Sequence, residues 1–92
     1  MTEKEKMLAG QLYDCGDPEL IAQWHRAKDL ARDYNNMDSA DIEGKERILD
    51  KLLGGRGANL WIMPPFFVDY GMHIYFGDNC EVNMNCTFLD DN

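Results

Sequence analysis

The 92-residue chain has 45% apolar residues, 28% charged residues and a net charge of −8, which is the composition of a foldable globular domain rather than a disordered segment. The negative charge argues against nucleic acid or an anionic membrane surface as a partner, because both are bound through clustered Lys and Arg. The start, MTEKEKMLAG, has no apolar leader, and no run is long enough to span a membrane. Three cysteines without a paired spacing fit a reducing compartment. We therefore expect a cytoplasmic protein.

Helix signals occupy the first half of the chain. Thr2 and Glu5 have the spacing of a capping box, which predicts a short helix over about residues 3–9. Asp17 followed by Pro18 is a stronger start signal, because an acidic N-cap and a proline in the first turn both favour helix initiation. The helix that follows carries an apolar stripe formed by Leu20, Trp24, Ala27, Ala31 and Tyr34.

A third helix is predicted to begin at Asp38 or Ser39 and to end before a pair of glycines. Because only a few residues connect the two long helices, we expect them to pack as an antiparallel hairpin. The residues expected to face each other, or the β segment, are Leu20, Trp24, Ala31 and Tyr34 on one helix and Ile48, Leu49 and Leu52 on the other. On this basis, Trp24→Ala should cost about 3–5 kcal/mol.

In the second half, apolar residues recur every six positions. They are Ile62, Val68 and Ile74, and then Phe76, Val82 and Phe88. A strand repeats every two residues and a helix about every 3.6, so neither has this period. Hexapeptide repeats have it, because each unit forms one short strand and one turn of a prism-shaped parallel coil. We expect Phe76, Val82 and Phe88 to stack in one inward-facing row, with Cys80 and Cys86 in a second row near a corner.

Three segments carry a resemblance to a known family: AGQLYDCGDPEL, HRAKDLARDYN and IYFGDNCEVNMNCTFLDDN. Together they resemble the N-terminal half of the maltose and galactoside O-acetyltransferases, which are hexapeptide-repeat enzymes. The resemblance covers essentially the whole chain. It implies an α+β fold, in which a helical N-terminal domain of residues 1–57 precedes the first coils of a left-handed parallel β-helix, residues 58–92.

The resemblance also implies an activity, acetyl transfer from acetyl-CoA to a sugar hydroxyl of the maltose, glucose or galactoside type, in homotrimers with active sites between subunits. The general base of the family is a histidine in a later coil. This chain is therefore expected to contribute acceptor-side residues and no catalytic residue, and His25 and His73 are interpreted as surface or packing residues. We expect the chain alone to be inactive and to bind no acetyl-CoA. On this interpretation it is either a truncated gene product or a fragment of a longer chain.

The resemblance places the acceptor site on five residues. They are Asp69, Asn83 and Asp91, with Asp14 and Arg26 as weaker matches. Carboxylates and amides suit this role because they exchange hydrogen bonds with sugar hydroxyls, and Tyr70 or Trp61 would add apolar contact. Relatives often carry aromatic residues where this chain has Cys80 and Glu81, which leaves the identity of the sugar open.

Other hypotheses fit parts of the sequence. The chain would alternatively serve as a non-catalytic interaction or capping module that self-associates or binds a full-length relative. His73, Cys80, Cys86 and Asp90 are close in sequence, but they lack the short paired spacing of structural zinc sites. Asp90 and Asp91 would form a carboxylate dyad only at a separation that the sequence does not fix.

Overall fold

The computed structural model of the chain describes residues 1–91. Three helices come first in this range: α1 (Glu3–Leu8), α2 (Pro18–Asn35) and α3 (Ile42–Leu52). Six short strands follow: β1 (Gly55–Arg56), β2 (Trp61–Ile62), β3 (Phe66–Val68), β4 (Tyr75–Phe76), β5 (Glu81–Val82) and β6 (Cys86–Phe88). The predicted order of helices followed by short strands is confirmed.

The strands form three two-stranded sheets, β1 with β4, β2 with β5 and β3 with β6, and every pair is parallel. Partners lie twenty positions apart in the chain, as Gly55 with Tyr75 and Trp61 with Glu81 illustrate. The chain therefore visits the three sheets in turn and then returns to them in the same order. This progression in one direction confirms the parallel pairing predicted from the six-residue repeat.

The prediction that the apolar residues stack in a single row is wrong. Phe76, Val82 and Phe88 belong to three different sheets. All three pack against the core, and the rings of Phe76 and Phe88 meet edge to face with their centres 6.0 Å apart. A step of six residues moves the chain from one sheet to the next, whereas stacking within a sheet requires a full circuit. Val82 accordingly pairs with Ile62.

Cys80 and Cys86 do not form a row either, for the same reason. Cys86 opens β6 in register with Phe66, while Cys80 precedes β5 and packs against the core. Both are half-buried free thiols. They behave as small hydrophobic residues of the core edge.

The starts of α1 and α2 follow the sequence prediction. The Thr2 hydroxyl accepts a hydrogen bond from the Glu5 amide at 3.0 Å, and the Glu5 carboxylate accepts one from the Thr2 amide at 3.3 Å. The Asp17 carboxylate accepts from the Glu19 amide at 3.1 Å, and Pro18 is the first residue of α2. Each helix therefore begins where a side-chain oxygen satisfies an otherwise unpaired backbone amide.

The start of α3 differs from the prediction of Asp38 or Ser39. Asp41 is the N-cap, and its carboxylate accepts from the Gly44 amide at 2.9 Å. The Asp38 carbonyl instead closes a turn by accepting from the Asp41 amide at 3.0 Å. Gly44 has low helix propensity, but a β-carbon at this position would lie only 2.5 Å from Asp41 Oδ2. The glycine thus leaves room for the capping carboxylate.

One hydrophobic core joins the helices to the strands. Its buried members are Ala27, Tyr34, Leu49, Leu52, Leu53, Leu60, Ile62, Phe66 and Val68. The predicted packing of Tyr34 against α3 is confirmed, and the Tyr34 hydroxyl also donates to the carbonyl of Ile62. Leu20 belongs to a second cluster instead, with Met7 of α1 and Tyr70 of the turn after β3.

The position of Trp24 corrects the sequence analysis. Its side chain is 40% exposed, although it lies on the apolar stripe of α2. The covered part of that stripe is further along the helix, where Ala27, Ala31 and Tyr34 are all buried. The predicted cost of 3–5 kcal/mol applies to a fully buried aromatic side chain, so it does not apply to Trp24.

The predicted division of the chain after residue 57 stays a prediction, and β1 lies just before it. No helix within residues 1–91 combines the length and apolar character that crossing a membrane requires.

Candidate functional site

A pocket of about 440 Å³ opens between the segment before α2, the first turns of α2 and the ends of β3 and β6. Its lining residues are Tyr13, Cys15, Ile21, Trp24, His25, Asp69, Tyr70 and Asp91. They come from distant parts of the chain, so the pocket forms only when the helices pack on the strands. Four aromatic rings, one of them the imidazole of His25, and two carboxylates give it both apolar and hydrogen-bonding surface.

Asp69 and Asp91 form a carboxyl pair in this pocket. Asp69 directly follows β3 and Asp91 follows the end of β6, and these two strands are paired. Burial, a hydrogen bond with Asp69 and the neighbouring negative charge raise the pKa of Asp91 to about 6. Asp91 therefore holds a proton in mildly acidic solution and is ionised above that range.

Lys28 provides the positive charge beside the pair. Its ammonium nitrogen lies 3.4 Å from Asp69 Oδ1 and 4.7 Å from the centre of the Trp24 ring. It also donates a hydrogen bond to the carbonyl of Val68. Both members of the ion pair are partly exposed, so its contribution to stability is small, but it connects the pocket-facing side of α2 to the end of β3.

The carboxylate of Asp90 is enclosed by the turn that follows β3. Its Oδ1 accepts from the amides of Asp69 at 3.2 Å and Tyr70 at 2.8 Å, and its Oδ2 accepts from the His73 amide at 3.4 Å. The Nδ1 of His73 lies 2.6 Å from the Asp90 carbonyl oxygen, to which it donates. Asp90 is only 8% exposed. It therefore ties the turn after β3 to the segment after β6.

The two adjacent carboxylates thus do not form the dyad considered from the sequence. Asp90 binds backbone amides, whereas Asp91 pairs with Asp69. The metal hypothesis has no support either, because residues 1–91 contain no group of three or more His, Cys, Asp and Glu side chains placed to hold a metal ion. His73 and Asp90 are in contact, with the His73 Nδ1 at 2.6 Å from the Asp90 carbonyl oxygen and at 3.8 Å from Oδ2 of its carboxylate.

Of the five predicted acceptor residues, Asp69 and Asp91 lie together on the pocket wall. Asn83 is exposed and directly follows β5, and it is not among the lining residues. A six-residue step places it beyond a different sheet from Asp69 and Asp91. Its predicted contact with the acceptor stays a prediction.

Asp14 and Arg26 also lie outside the lining of the pocket. The Asp14 carboxylate accepts from the Gly16 amide at 2.9 Å, and this turn presents the neighbouring Tyr13 and Cys15 to the pocket. The guanidinium of Arg26 donates to the carbonyl of Lys51 at 2.7 Å. It ties α2 to the C-terminal end of α3, and the predicted acceptor role of both residues likewise stays a prediction.

Sequence reasoning missed much of the aromatic wall. Tyr70 was expected to offer apolar contact and lines the pocket, but Tyr13, Trp24 and His25 were not connected with the site. The available signal for Tyr13 was its position next to Asp14. For Trp24 there was none, because a helical apolar period does not distinguish a side chain in the core from one on a pocket wall.

Comparison with known proteins identifies the family. Residues 6–57 match the maltose acetyltransferase hexapeptide capping motif, more than half of the chain. The chain belongs to this family. A Staphylococcus haemolyticus protein named as an acetyltransferase is 45% identical to this chain over 91 residues. The matched residues make up 98% of this chain and 47% of that protein.

Solved acetyltransferase structures share the fold of this chain. A galactoside acetyltransferase in complex with coenzyme A has a TM-score of 0.90 and 30% identity, over 99% of this chain and 46% of that chain. A maltose O-acetyltransferase from Clostridium difficile has a TM-score of 0.85 and 30% identity, over 95% of this chain and 57% of that chain. The chain therefore spans about half the length of these relatives. The predicted resemblance to the maltose and galactoside O-acetyltransferases is confirmed.

Proposed function

We propose that this chain supplies the acceptor side of an acetyl-CoA-dependent O-acetyltransferase that acts on a sugar hydroxyl of the maltose, glucose or galactoside type. The observation that carries the proposal is the pocket in which the Asp69–Asp91 pair faces an aromatic wall. Sugars present apolar ring faces and hydroxyl edges, so they bind where aromatic surface and a few convergent polar groups meet. The family relationship to maltose and galactoside acetyltransferases supports the same substrate class.

Each pocket residue has a proposed role. The ionised carboxylate of Asp69 accepts a hydrogen bond from a sugar hydroxyl, and Asp91 either donates or accepts according to its protonation. Tyr70 and Trp24 contact the apolar face of the sugar ring. The remaining predicted contacts, at the edge of the site, are assigned to Asp14, Arg26 and Asn83.

The architecture of the whole enzyme is also part of the proposal. We infer that the three parallel sheets are the first coils of a left-handed β-helix, since strand partners are separated by a full circuit of the chain. The enzyme is proposed to be a cytoplasmic homotrimer with acetyl-CoA as donor. A coenzyme A complex of a structural relative supports that donor.

The chain itself is proposed to contain no catalytic residue. The Nδ1 of His73 is already engaged with a backbone carbonyl. His25 is exposed on α2, with its ring packed against Trp24 at 5.3 Å between centres. A positioned histidine elsewhere in a longer protein would take the hydroxyl proton as the sugar oxygen attacks the thioester carbon.

Calorimetric titration with maltose, glucose and methyl galactoside tests the acceptor assignment. We expect at least one of these sugars to bind, and Asp91→Ala to weaken that binding by about tenfold or more, because a hydrogen bond to a charged group is lost. Asp78→Ala is the matched control. Its carboxylate accepts from the Ala58 amide at 2.7 Å, but it lies outside the pocket. Equal loss in both variants, or no binding of any sugar, would contradict the proposal.

A second candidate function, the capping or interaction module, is favoured by exposed apolar side chains in the strands and in the segments next to them. Phe67, Tyr75, Met84 and Leu89 are 47%, 73%, 53% and 72% exposed. Such surface fits association with another copy or a longer relative. Sedimentation over a range of concentrations tests this, and a monomer that fails to bind a full-length relative would argue against it.

A further inference from the structure

The pocket carboxylates lie just beyond the last paired residues of their strands. The β3–β6 ladder ends with Val68 opposite Phe88, and one further backbone bond joins the Asp69 amide to the Phe88 carbonyl at 3.1 Å. Beyond that point the sheet no longer holds the two segments in register. Both strands have only three residues, which is the short end of the usual range, and the pocket carboxylates lie outside their ladder.

The carboxylate of Asp90 continues the connection where the ladder stops. Its Oδ1 accepts from two successive amides, those of Asp69 and Tyr70, and its Oδ2 accepts from His73. We propose that Asp90 is a positioning residue, whose buried carboxylate holds the turn of residues 69–73 so that Asp69 and Asp91 lie beside each other in the pocket. The value of this arrangement for acceptor binding rests on the proposed function, whereas the positioning itself does not.

Aspartate suits position 90 better than alanine, asparagine or glutamate, the residues closest to it in size or charge. Alanine would leave the buried Tyr70 amide unpaired, which carries the full desolvation penalty of that group. Asparagine keeps an Oδ1 acceptor for Asp69 and Tyr70, although its amide nitrogen would face the weaker His73 contact. Glutamate keeps the charge but moves the carboxylate by one methylene, at a position that is only 8% exposed.

Burial is the largest cause of the raised pKa of Asp91, and the hydrogen bond and charge of Asp69 are the next, so the titration of Asp91, followed through its carboxyl carbon by NMR, responds when the turn that holds Asp69 is released. In the parent chain the midpoint should be near 6. Asp90→Ala should lower it toward the ordinary value of 3.8, because the charge of Asp90 is removed and, once the turn is released, Asp91 also loses its burial and the neighbouring Asp69. Asp90→Asn removes the same charge but keeps the Oδ1 bonds, so its midpoint should stay well above that of Asp90→Ala. Equal midpoints in the two variants would overturn the proposal.

A second variant keeps the test decisive if Asp90→Ala does not fold. Asp90→Glu retains the charge and changes only the position of the carboxylate, so we expect it to lower the Asp91 midpoint. An unchanged midpoint in Asp90→Glu would overturn the proposal. Asp78→Ala removes a carboxylate that accepts from the Ala58 amide, away from the pocket, and should leave the Asp91 midpoint unchanged. A fall in this control as large as in the Asp90 variants would also contradict the positioning role of Asp90.

Acceptor binding in the same variants separates this proposal from the proposed function. Asp90→Ala should weaken maltose binding by about tenfold or more, and Asp90→Asn should restore most of it. If no variant binds any sugar while the Asp91 midpoints differ as expected, the acceptor assignment fails and the positioning role stands. If sugars bind equally well to all variants, Asp90 does not position the pocket.

Discussion

Three carboxylates lie close together at the ends of β3 and β6, and each has a different environment. Asp90 accepts hydrogen bonds from backbone amides, Asp69 lies beside the ammonium of Lys28, and Asp91 pairs with Asp69 in a partly buried pocket. Only the last arrangement places two negative groups together without a cation for each. The same residue type therefore has three roles, decided by hydrogen bonding, ion pairing and desolvation.

The raised pKa of Asp91 gives stability a specific pH dependence. Because its pKa in the folded protein lies above the ordinary value of 3.8, the folded state binds this proton more tightly than the unfolded chain. The contribution of Asp91 to stability is therefore greatest below about pH 4 and is lost as the pH rises through about 6. Asp91→Asn mimics the protonated form, so it should become progressively more stable than the parent between these pH values. Urea unfolding at several pH values measures the difference.

Asp50→Asn is the control with the opposite sign. A hydrogen bond with Arg56, at 2.8 Å, lowers the pKa of Asp50. Its carboxylate therefore stabilises the fold fully above its ordinary pKa of 3.8. Asp50→Asn should lose stability relative to the parent as the pH rises toward 3.8, and the difference should stay constant above that value. A constant difference between Asp91→Asn and the parent from pH 4 to 7 would show that neither burial nor Asp69 raises the pKa of Asp91 in the folded protein.

The exposure of Trp24 predicts a separation between stability and binding. Trp24→Ala should lower the free energy of unfolding by less than about 2 kcal/mol, because 40% of the side chain is already in water. Phe66→Ala should cost about 3–5 kcal/mol, because Phe66 is fully buried against Tyr34, with ring centres 5.0 Å apart. Urea unfolding compares the two, and sugar titration should show the greater loss for Trp24→Ala. Equal destabilisation would mean that Trp24 belongs to the core after all.

Among the elements, α2 connects all parts of the molecule. Its first turns form one wall of the pocket, its middle covers the core through Ala27 and Ala31, and its last turn reaches β3. There the Asn35 side chain donates to the Phe66 carbonyl at 2.9 Å and accepts from the Phe66 amide at 3.0 Å. The amide group of Asn35 thus replaces the neighbouring strand that an edge residue would otherwise require.

Loss of the two hydrogen bonds between the Asn35 side chain and the Phe66 backbone should lower the stability of the fold. Asn35→Ala leaves the amide and carbonyl of Phe66 without their partner, so we expect a loss of about 1–3 kcal/mol in the free energy of unfolding. Asn36→Ala, at the adjacent exposed position, should change it by less than about 0.5 kcal/mol. Chemical unfolding of both variants measures this. Equal effects would indicate that helix propensity, rather than the Phe66 contact, is responsible.

The elements differ in how far the sequence predicts them. The starts of α1 and α2 were predictable because capping is local, involving side chains within three residues of the amides they satisfy. The six-residue repeat predicted which side chains point inward, but not which sheet holds Phe76, Val82 or Phe88, because pairing depends on residues a full circuit away. Of the pocket residues, only Asp69, Asp91 and Tyr70 were predictable, through family resemblance. The aromatic wall of the pocket depends on packing between α2 and the strand ends.

At the scale of the whole molecule, negative charge dominates. The net charge is −8, and several cationic side chains are already paired with carboxylates. Lys6 lies 2.8 Å from Glu3, and Arg56 lies 2.8 Å from Asp50, while Arg32 contacts two acidic neighbours on α2. The phosphates of coenzyme A would meet a repulsive field without a concentrated cluster of Lys and Arg in the sequence to overcome it.

We therefore expect the 92-residue chain alone to bind no acetyl-CoA and to transfer no acetyl group, although it contains the proposed acceptor pocket. Loss of a positioned base removes about 10²- to 10⁴-fold in rate, and loss of donor binding removes the proximity contribution as well. Calorimetry with acetyl-CoA and a thiol-release assay with maltose, glucose and methyl galactoside measure both quantities.

The decisive comparison is between the parent chain and His25→Ala, because His25 is the histidine that lines the pocket. Thiol release at the rate of the no-protein blank in both samples is the expected result. Release above the blank that disappears in His25→Ala would instead place the base within α2, next to Trp24 and opposite the carboxyl pair. Release that persists in His25→Ala but is lost in His73→Ala would point to the turn held by Asp90. Either outcome would show that the chain carries its own catalytic group and that its negative charge does not prevent donor binding.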